Sequence, residues 1–288
     1  MLKGLKFCGI ALIIIIIVTF LAVKAVFKTD SKISSFWGNL LGNKKEVEPI
    51  VLKEEKTLRV IEGWRNADIA NELIRLNLPE ASTFMEAARQ DYSNQFEFLA
   101  DKPKSTDLEG YLYPDTYRVF ASSTPDEIIV KMLTNFDNKL TPQMRADIAS
   151  QGKTINEIIT MASLIEKEAP ISYQTGKLED AKIVSGIFWN RIKAGQALQS
   201  CATLAYILGV NKPQYSEADT KVASPYNTYQ NPGLPPGPIA NPGILAITAA
   251  IYPIKTNYNY FLTPSGSKEL IFSRTYEEHL QNKNKYLK

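Results

Sequence analysis

Apolar side chains recur at helical spacing along much of this chain, and they predict most of its secondary structure. Ile155, Ile158, Ile159, Ala162 and Ile165 follow this spacing and predict a helix that closes on Glu-Lys-Glu. Alternating or short apolar runs predict strands instead. Helices are predicted from Asn66 or Ala67 onward, over 81–99 and 125–140, from Thr141-Pro142 onward, and over 182–193, 202–208, 243–252 and 275–286, and strands over 58–62, 258–262 and 269–272. The mixture predicts an α+β fold.

The first residues have a different character. Residues 7–23 carry no charge and include a run of five isoleucines, with lysines on both sides. The run is slightly shorter than the roughly 20 residues of a membrane-spanning helix, but the flanking apolar residues and a snorkelling lysine extend it. We predict an uncleaved membrane anchor over 1–27, followed by a polar juxtamembrane linker over 28–57. The alternative is a signal peptide cleaved near 23–25, against which the adjacent lysine and the long apolar run both argue.

Composition excludes several classes of function. The net charge of +3 is small and the lysines are scattered, so no nucleic-acid footprint is visible. Cys8 lies in the membrane segment and Cys201 in the remainder, so no disulfide framework or zinc spacing exists. A single histidine, His279, excludes histidine metal cages and most Ser-His-Asp triads. We therefore expect no metal site of these kinds.

The end of the helix over 155–168 carries two candidate carboxylates. Glu166 and Glu168 are two residues apart, so they point roughly 200° apart on a helix and cannot act as a pair. Glu168 precedes Ala-Pro, so it lies in the last turn, where the helix dipole is negative. The dipole and the apolar neighbours should raise its pKa, as a general acid requires. The alternative for such a charged run is a solvated helix end.

An aromatic and acidic segment lies upstream, at 109–117. Its tyrosines alternate, as expected for side chains that stack on sugar rings, and its carboxylates could bind hydroxyl or N-acetyl groups. The alternative is an edge strand whose tyrosines are half-buried for packing. The candidate substrate-binding residues here are Glu109, Tyr111, Tyr113, Asp115 and Tyr117.

A second candidate segment, 226–243, is rich in proline and glycine. It is too rigid for a linker and too long for a plain turn, so it predicts a preformed cleft wall. The alternative is a structural Ω-loop. The candidate contacts here are Tyr226, Asn227, Thr228 and Tyr229, with Gln199 from the preceding Leu-Gln-Ser sequence.

Together, the segments 109–117, 161–170, 188–192, 198–199, 226–229 and 233–243 resemble the MltG/YceG-like family, the membrane-anchored endolytic murein transglycosylases. The resemblance runs from about residue 58 to the C-terminus. In that family the second glutamate of the Glu-Lys-Glu element is the catalytic acid/base, which corresponds here to Glu168. The resemblance also implies a cytoplasmic N-terminus, with the catalytic part outside the cell membrane. It implies peptidoglycan glycan strands as substrate and peptidoglycan synthases of elongation or division as partners.

The sequence departs from the family pattern in two places. Members commonly carry a LysM-like module before the catalytic part, whereas this chain has room only for a reduced LysM-like part over 58–105, followed by a catalytic region over 106–288. This departure weakens the case for a separate glycan-anchoring role. Cys201 stands where the family has an acidic residue, and a thiol cannot provide charge-assisted hydrogen bonds. His279 matches a family position, and we interpret it as a packed or capping residue.

The resemblance implies lytic cleavage of the β-1,4 bond between N-acetylmuramic acid and N-acetylglucosamine, with Glu168 as the single acid/base. The implied reaction needs no metal and no organic cofactor. One rival is a hydrolytic muramidase with Glu109 or Asp115 as a second carboxylate. Another is a catalytically silent glycan-binding or division-complex scaffold, which Cys201 and the reduced module would favour.

Overall fold

The computed structural model describes residues 54–169, 171, 178–212, 214–264, 267 and 269–287. They lie in one unit that spans 53–288. The anchor predicted for 1–27 and most of the linker lie outside the described residues. In the described part of the chain, no helix is long and apolar enough to cross a bilayer.

Nine α-helices and four short strands make up the described part, which confirms the mixed α+β class. The strands are β1 (Glu55–Arg59), β2 (Thr116–Phe120), β3 (Tyr260–Leu262) and β4 (Ile271–Ser273). The helices are α1 (Asn66–Arg75), α2 (Phe84–Ala87), α3 (Pro125–Lys139), α4 (Pro142–Ser150), α5 (Ile155–Glu168), α6 (Glu179–Lys193), α7 (Cys201–Leu208), α8 (Ile244–Ile251) and α9 (Tyr276–Tyr286). Short 3₁₀ turns add Ala81–Thr83, Glu97–Leu99 and Asp219–Lys221.

Two antiparallel pairs form the sheets. β1 pairs with β2, with Leu58 opposite Tyr117, and β3 pairs with β4, with Phe261 opposite Phe272. β1 begins and ends about three residues before the predicted strand. Val60 still donates a hydrogen bond to the Asp115 carbonyl at 2.9 Å, so backbone pairing continues past the end of the strand.

Helix α5 is the centre of the molecule. It packs against α8 most extensively and also contacts α4, α6 and α7. The Thr154 side chain and Glu157 close a capping box at its start. All side chains from Ile158 to Ile165 are buried, and a helix buried on every face is typical of a core position. Its last residue is Glu168, as predicted, and Ala169 is extended, as expected before a proline.

The single helix predicted over 81–99 is wrong. The structure has a 3₁₀ turn, the one-turn helix α2 and a second 3₁₀ turn in that segment. Glu80 enters it with a left-handed backbone, at φ 53°. The Asp91 side chain accepts the Ser93 amide at 2.9 Å, a local bond that competes with helical bonding.

A buried asparagine ties distant segments together. Asn241 lies near the end of the proline-rich segment 226–243, and its Oδ1 accepts hydrogen bonds from the amides of Gly110 and Leu112 at 2.9 and 3.0 Å. Its Nδ2 donates to the Trp64 carbonyl and to Asn66 Oδ1 at 3.1 and 3.0 Å. These bonds fix the proline-rich segment against the start of α1 and against the turn at Gly110.

Candidate active site

Glu168 lies at the wall of a cleft of about 1200 Å³. The end of α5 places its carboxyl there, partly exposed to the cleft. The other walls come from the start of α1, from α7 and the loop that follows it, and from the end of α9. The lining residues used below are Arg65, Asp68, Cys201, Ala202, Tyr206 and Tyr229.

The start of α7 holds the Glu168 carboxyl in place. The Ser200 hydroxyl donates a hydrogen bond to Glu168 Oε1 at 2.5 Å, and the Ala202 amide donates to the same oxygen at 3.3 Å. Ala202 lies in the first turn of α7, where amides lack partners within the helix and carry the positive end of the dipole. Among the described residues no hydrogen bond reaches Oε2.

The environment raises the pKa of Glu168. Desolvation is the largest cause, while the hydrogen bonds from Ser200 and Ala202 and the charge of Arg191 act in the opposite direction. Because burial prevails, the carboxyl keeps its proton to higher pH than a solvated glutamate. A raised pKa at a cleft wall is typical of a general acid.

The turn that carries Ser200 is itself held by the segment 226–229. Thr228 accepts the Ser200 amide through its hydroxyl, and its carbonyl accepts the Gln199 amide, each at 3.0 Å. The Asn227 side chain is fully buried and bonds the carbonyls of Thr220 and Val222. Asn227 and Thr228 therefore support the site from behind the cleft. Gln199 is exposed beside it, with a left-handed backbone at φ 52°.

Cys201 is exposed at the cleft, and its Sγ lies 3.1 Å from Tyr229 Oη. Both residues line the cleft together with Glu168. The pKa of the thiol is raised, mainly by desolvation and also by the Glu168 charge, so it is neutral near pH 7. Tyr229 and Ile239 are the residues of segment 226–243 that line this cavity.

Glu166 points elsewhere, as the helical geometry predicts. Its Oε2 accepts the Gly243 amide at 3.0 Å, at the start of α8. It therefore joins α5 to α8, and it is absent from the cleft lining.

The residues predicted at 109–117 lie mostly in the core, which corrects the expectation of a sugar-stacking face. Tyr111 is fully buried, and Tyr113 and Tyr117 are each 5% exposed. Tyr111 donates to Asn156 at 3.0 Å, and Tyr117 donates to the Tyr113 carbonyl at 2.5 Å. Gly110, at φ 91°, starts a compact turn that folds this segment inward.

Neither of the other predicted carboxylates reaches the Glu168 cleft. Glu109 is buried, and its Oε1 accepts the Asn66 amide at 3.0 Å at the start of α1. Burial raises the pKa of Glu109 to about 8. Asp115 lines a separate pocket of about 300 Å³ with Tyr113, and it accepts a hydrogen bond from Asn135 at 3.0 Å.

Several residues of this site were not predicted. Ser200, Ala202 and Arg191 surround the Glu168 carboxyl, and Arg65 and Tyr206 form part of the cleft wall. Ser200 had a usable signal, because a serine before an apolar helix is a common N-cap. His279 stacks on Tyr260, with ring centroids 5.1 Å apart, which agrees with a packed residue. Within the described residues, no group of acidic, cysteine or histidine side chains could hold a metal ion.

Comparisons with known proteins identify the family of this chain. The profile of the YceG-like family matches residues 31–285. An endolytic murein transglycosylase of Bacillus subtilis is 40% identical over 62% of this chain and 48% of its own length. One of Streptococcus pneumoniae is 35% identical over 69% of this chain and 36% of its own length. The chain thus spans less than half the length of these two relatives.

A solved structure shares the fold. The crystal structure of a YceG-like protein from Listeria monocytogenes superposes with a TM-score of 0.69 at 32% identity. The match covers 78% of this chain and 75% of that one.

Proposed function

Because this chain belongs to the YceG-like family, we propose that it is a peptidoglycan lytic transglycosylase with Glu168 as its single general acid/base. The names of the relatives from Bacillus subtilis and Streptococcus pneumoniae support the reaction and the substrate. The proposed substrate is the β-1,4 bond between N-acetylmuramic acid and N-acetylglucosamine within a glycan strand.

One observation carries this proposal, namely the placement of Glu168 in the large cleft. Its Oε1 is held by Ser200 and Ala202, its Oε2 has no partner among the described residues, and its pKa is raised by burial. A carboxyl held in place through one oxygen can donate a proton from the other oxygen and take one back.

The reaction requires one proton to leave the carboxyl and another to return to it. Glu168 protonates the glycosidic oxygen as the bond from C1 of the muramic sugar to that oxygen breaks. The resulting carboxylate then takes the proton of the C6 hydroxyl, whose oxygen forms a bond to C1. The products are a 1,6-anhydro sugar and a new free hydroxyl, so no water is consumed and the enzyme ends protonated.

The placement of the other carboxylates favours this route over hydrolysis by the residues considered above. A hydrolase of the usual kind needs two carboxyl groups on either side of the scissile bond. Glu109 is buried at the start of α1, and Asp115 lines a different pocket. Neither shares the cleft with Glu168.

The test is turnover of purified glycan strands by the full chain, with mass spectrometry of the products. We expect anhydro-muramic ends, and we expect Glu168→Gln to lower the rate by roughly 100- to 10,000-fold. Glu166→Gln is the matched control, since it changes the same helix turn and leaves the cleft unchanged. Equal activity of Glu168→Gln and wild type would overturn the assignment. Products that gain a water and end in a reducing sugar would indicate a hydrolytic muramidase. An absence of turnover would indicate a catalytically silent glycan-binding scaffold.

Placement at the cell membrane belongs to the same proposal. The apolar run at 7–23 supports an anchor, with the catalytic part on the outer face. We expect the full chain to stay with membranes after a carbonate wash, whereas a chain that starts near residue 35 should be soluble. A mature N-terminus near residue 26 would instead indicate cleavage of the segment.

A further inference from the structure

An arginine outside the segments that carry the family resemblance forms part of the cleft wall. Arg65 precedes α1 and lines the same cleft as Glu168. Its guanidinium carbon lies 4.3 Å from the ring centroid of Tyr206, on α7. The Tyr206 ring is supported by Tyr226, with ring centroids 5.0 Å apart. The two tyrosines therefore hold the guanidinium as a flat group on the wall.

The Arg65 guanidinium lacks an acidic partner within the described part of the chain. Its Nε is buried and makes no hydrogen bond, and no ion pair of Arg65 is found there. A buried donor without a partner costs free energy, and no hydrogen bond of the terminal N–H groups is found among the described residues either.

Two carboxyl groups lie near Arg65, and neither forms an ion pair with its guanidinium. Asp68 accepts the Arg65 amide at 2.9 Å through Oδ2, as a cap of α1. Glu109 is buried and, with a pKa raised to about 8, is largely uncharged at neutral pH. Within the part of the chain that the structure describes, the positive charge of Arg65 is therefore incompletely compensated.

A flat guanidinium of this kind matches a carboxylate. Its N–H groups form a planar fork that can donate two parallel hydrogen bonds, and stacking reduces the entropy lost on binding. Peptidoglycan strands offer carboxylates from two sources. These are the lactyl group of muramic acid when no peptide is attached, and the peptide stem when one is.

We propose that Arg65, held against Tyr206, binds a carboxylate of the glycan strand and makes the cleft selective for acidic strands over neutral ones. This inference rests on the proposed function, since it concerns the substrate of the same cleft. It assigns Arg65 to substrate binding and leaves proton transfer to Glu168.

The experiment measures binding to full-length Glu168→Gln protein, which prevents turnover. Four ligands are compared: neutral N-acetylglucosamine oligosaccharides, strands stripped of peptides, peptide-bearing strands with free carboxylates, and peptide-bearing strands whose carboxylates are converted to amides. Arg65→Gln and Arg65→Lys are added to this background. The matched control is Arg75→Gln, because Arg75 lies at the other end of α1 with its side chain 68% exposed and paired with Glu72.

Arg65→Gln should weaken binding of an acidic strand by roughly ten- to a hundredfold and leave binding of the neutral oligosaccharide unchanged. Arg65→Lys should lose part of the affinity, because it keeps the charge without the planar fork. If Arg65→Gln loses affinity only for strands stripped of peptides, the carboxylate that Arg65 binds is the lactyl group. A loss confined to peptide-bearing strands, and mimicked by converting their carboxylates to amides, identifies the stem.

An equal effect of Arg65→Gln on acidic and neutral ligands would overturn the inference, as would no effect or the same effect from Arg75→Gln. If Arg65→Gln fails to fold, Arg65→Lys takes its place in the test. The ratio of its affinity for acidic strands to its affinity for neutral oligosaccharides is then compared with that of the protein with Arg65 intact. An unchanged ratio would overturn the inference. Failure of the proposed function would appear separately, as undiminished cleavage by Glu168→Gln.

Discussion

The Ser200 hydroxyl donates a hydrogen bond to Glu168 Oε1 over 2.5 Å, and this bond joins the start of α7 to the end of α5. It favours the ionised carboxyl, whereas burial favours the protonated form. The pKa of Glu168 is thus set between two opposing effects, and each can be changed separately.

Ser200→Ala should raise the pKa of Glu168, because it removes a hydrogen bond that lowers that pKa. The acid would then keep its proton to higher pH, so the alkaline limb of kcat/KM should move upward. The rate near neutral pH should fall by roughly tenfold or more, since a hydrogen bond to a charged group is worth about 1.5–3 kcal/mol. Ser200→Thr keeps a hydroxyl and should retain the wild-type profile. A pH profile that stays in place in Ser200→Ala would contradict the role of this bond.

Cys201→Asp should raise cleavage or substrate affinity, by roughly tenfold if the new carboxylate forms a full charge-assisted hydrogen bond. The site suits a carboxylate, because Tyr229 Oη lies 3.1 Å from Sγ and the residue begins α7, where the dipole is positive. The added negative charge should also raise the pKa of Glu168. Cys201→Ser should change little. Activity and thermal melting are measured together, and a lower melting point with lower activity would mean that the thiol is needed for packing.

Glu109 should make the protein less stable as the pH rises. Its folded pKa, about 8, lies above its ordinary value of 4.5, so the folded state binds the extra proton between these pH values. The contribution of Glu109 to the free energy of unfolding is therefore fully present below about pH 4.5 and is lost as the pH rises through about 8. Glu109→Gln should flatten that dependence while keeping the acceptor for the Asn66 amide.

Melting midpoints of wild type and Glu109→Gln from pH 5 to 9 test this expectation. Toward pH 9, Glu109→Gln should melt at a higher temperature than wild type. Cleavage by the variant should stay close to wild type, because Glu109 lies outside the cleft. A strong loss of cleavage with an unchanged melting point would instead favour Glu109 as a second catalytic carboxylate.

Asn241→Ala should destabilise the fold by about 2–5 kcal/mol, since it leaves the buried amides of Gly110 and Leu112 without acceptors. Urea unfolding gives the free energy of unfolding directly. Asn231→Ala is the matched control in the same segment, because Asn231 is exposed although it also bonds backbone carbonyls. That change should cost less than about 1 kcal/mol. Equal costs for the two variants would show that burial of Asn241 adds nothing.

Local signals were enough to predict the helix that carries Glu168. The apolar spacing of α5 and the proline after its end both act within a few residues. They predicted both the end of the helix and the opposite directions of Glu166 and Glu168. The helix predicted over 81–99 failed because the Asp91 side chain accepts the Ser93 amide within it, a local bond that the apolar spacing does not reveal.

The sequence by itself determined the α+β class, the helix end that presents Glu168 and the family to which the chain belongs. Tertiary structure alone decided which residues meet there. Ser200 is 32 positions from Glu168 and Asn241 is 131 from Gly110, and periodicity carries no information about contacts at such separations. It also decided that Tyr111 packs in the core while Arg65 and Tyr206 line the cleft. Aromatic side chains suit both a core and a sugar-binding surface, so only the packing of the other elements distinguishes the two.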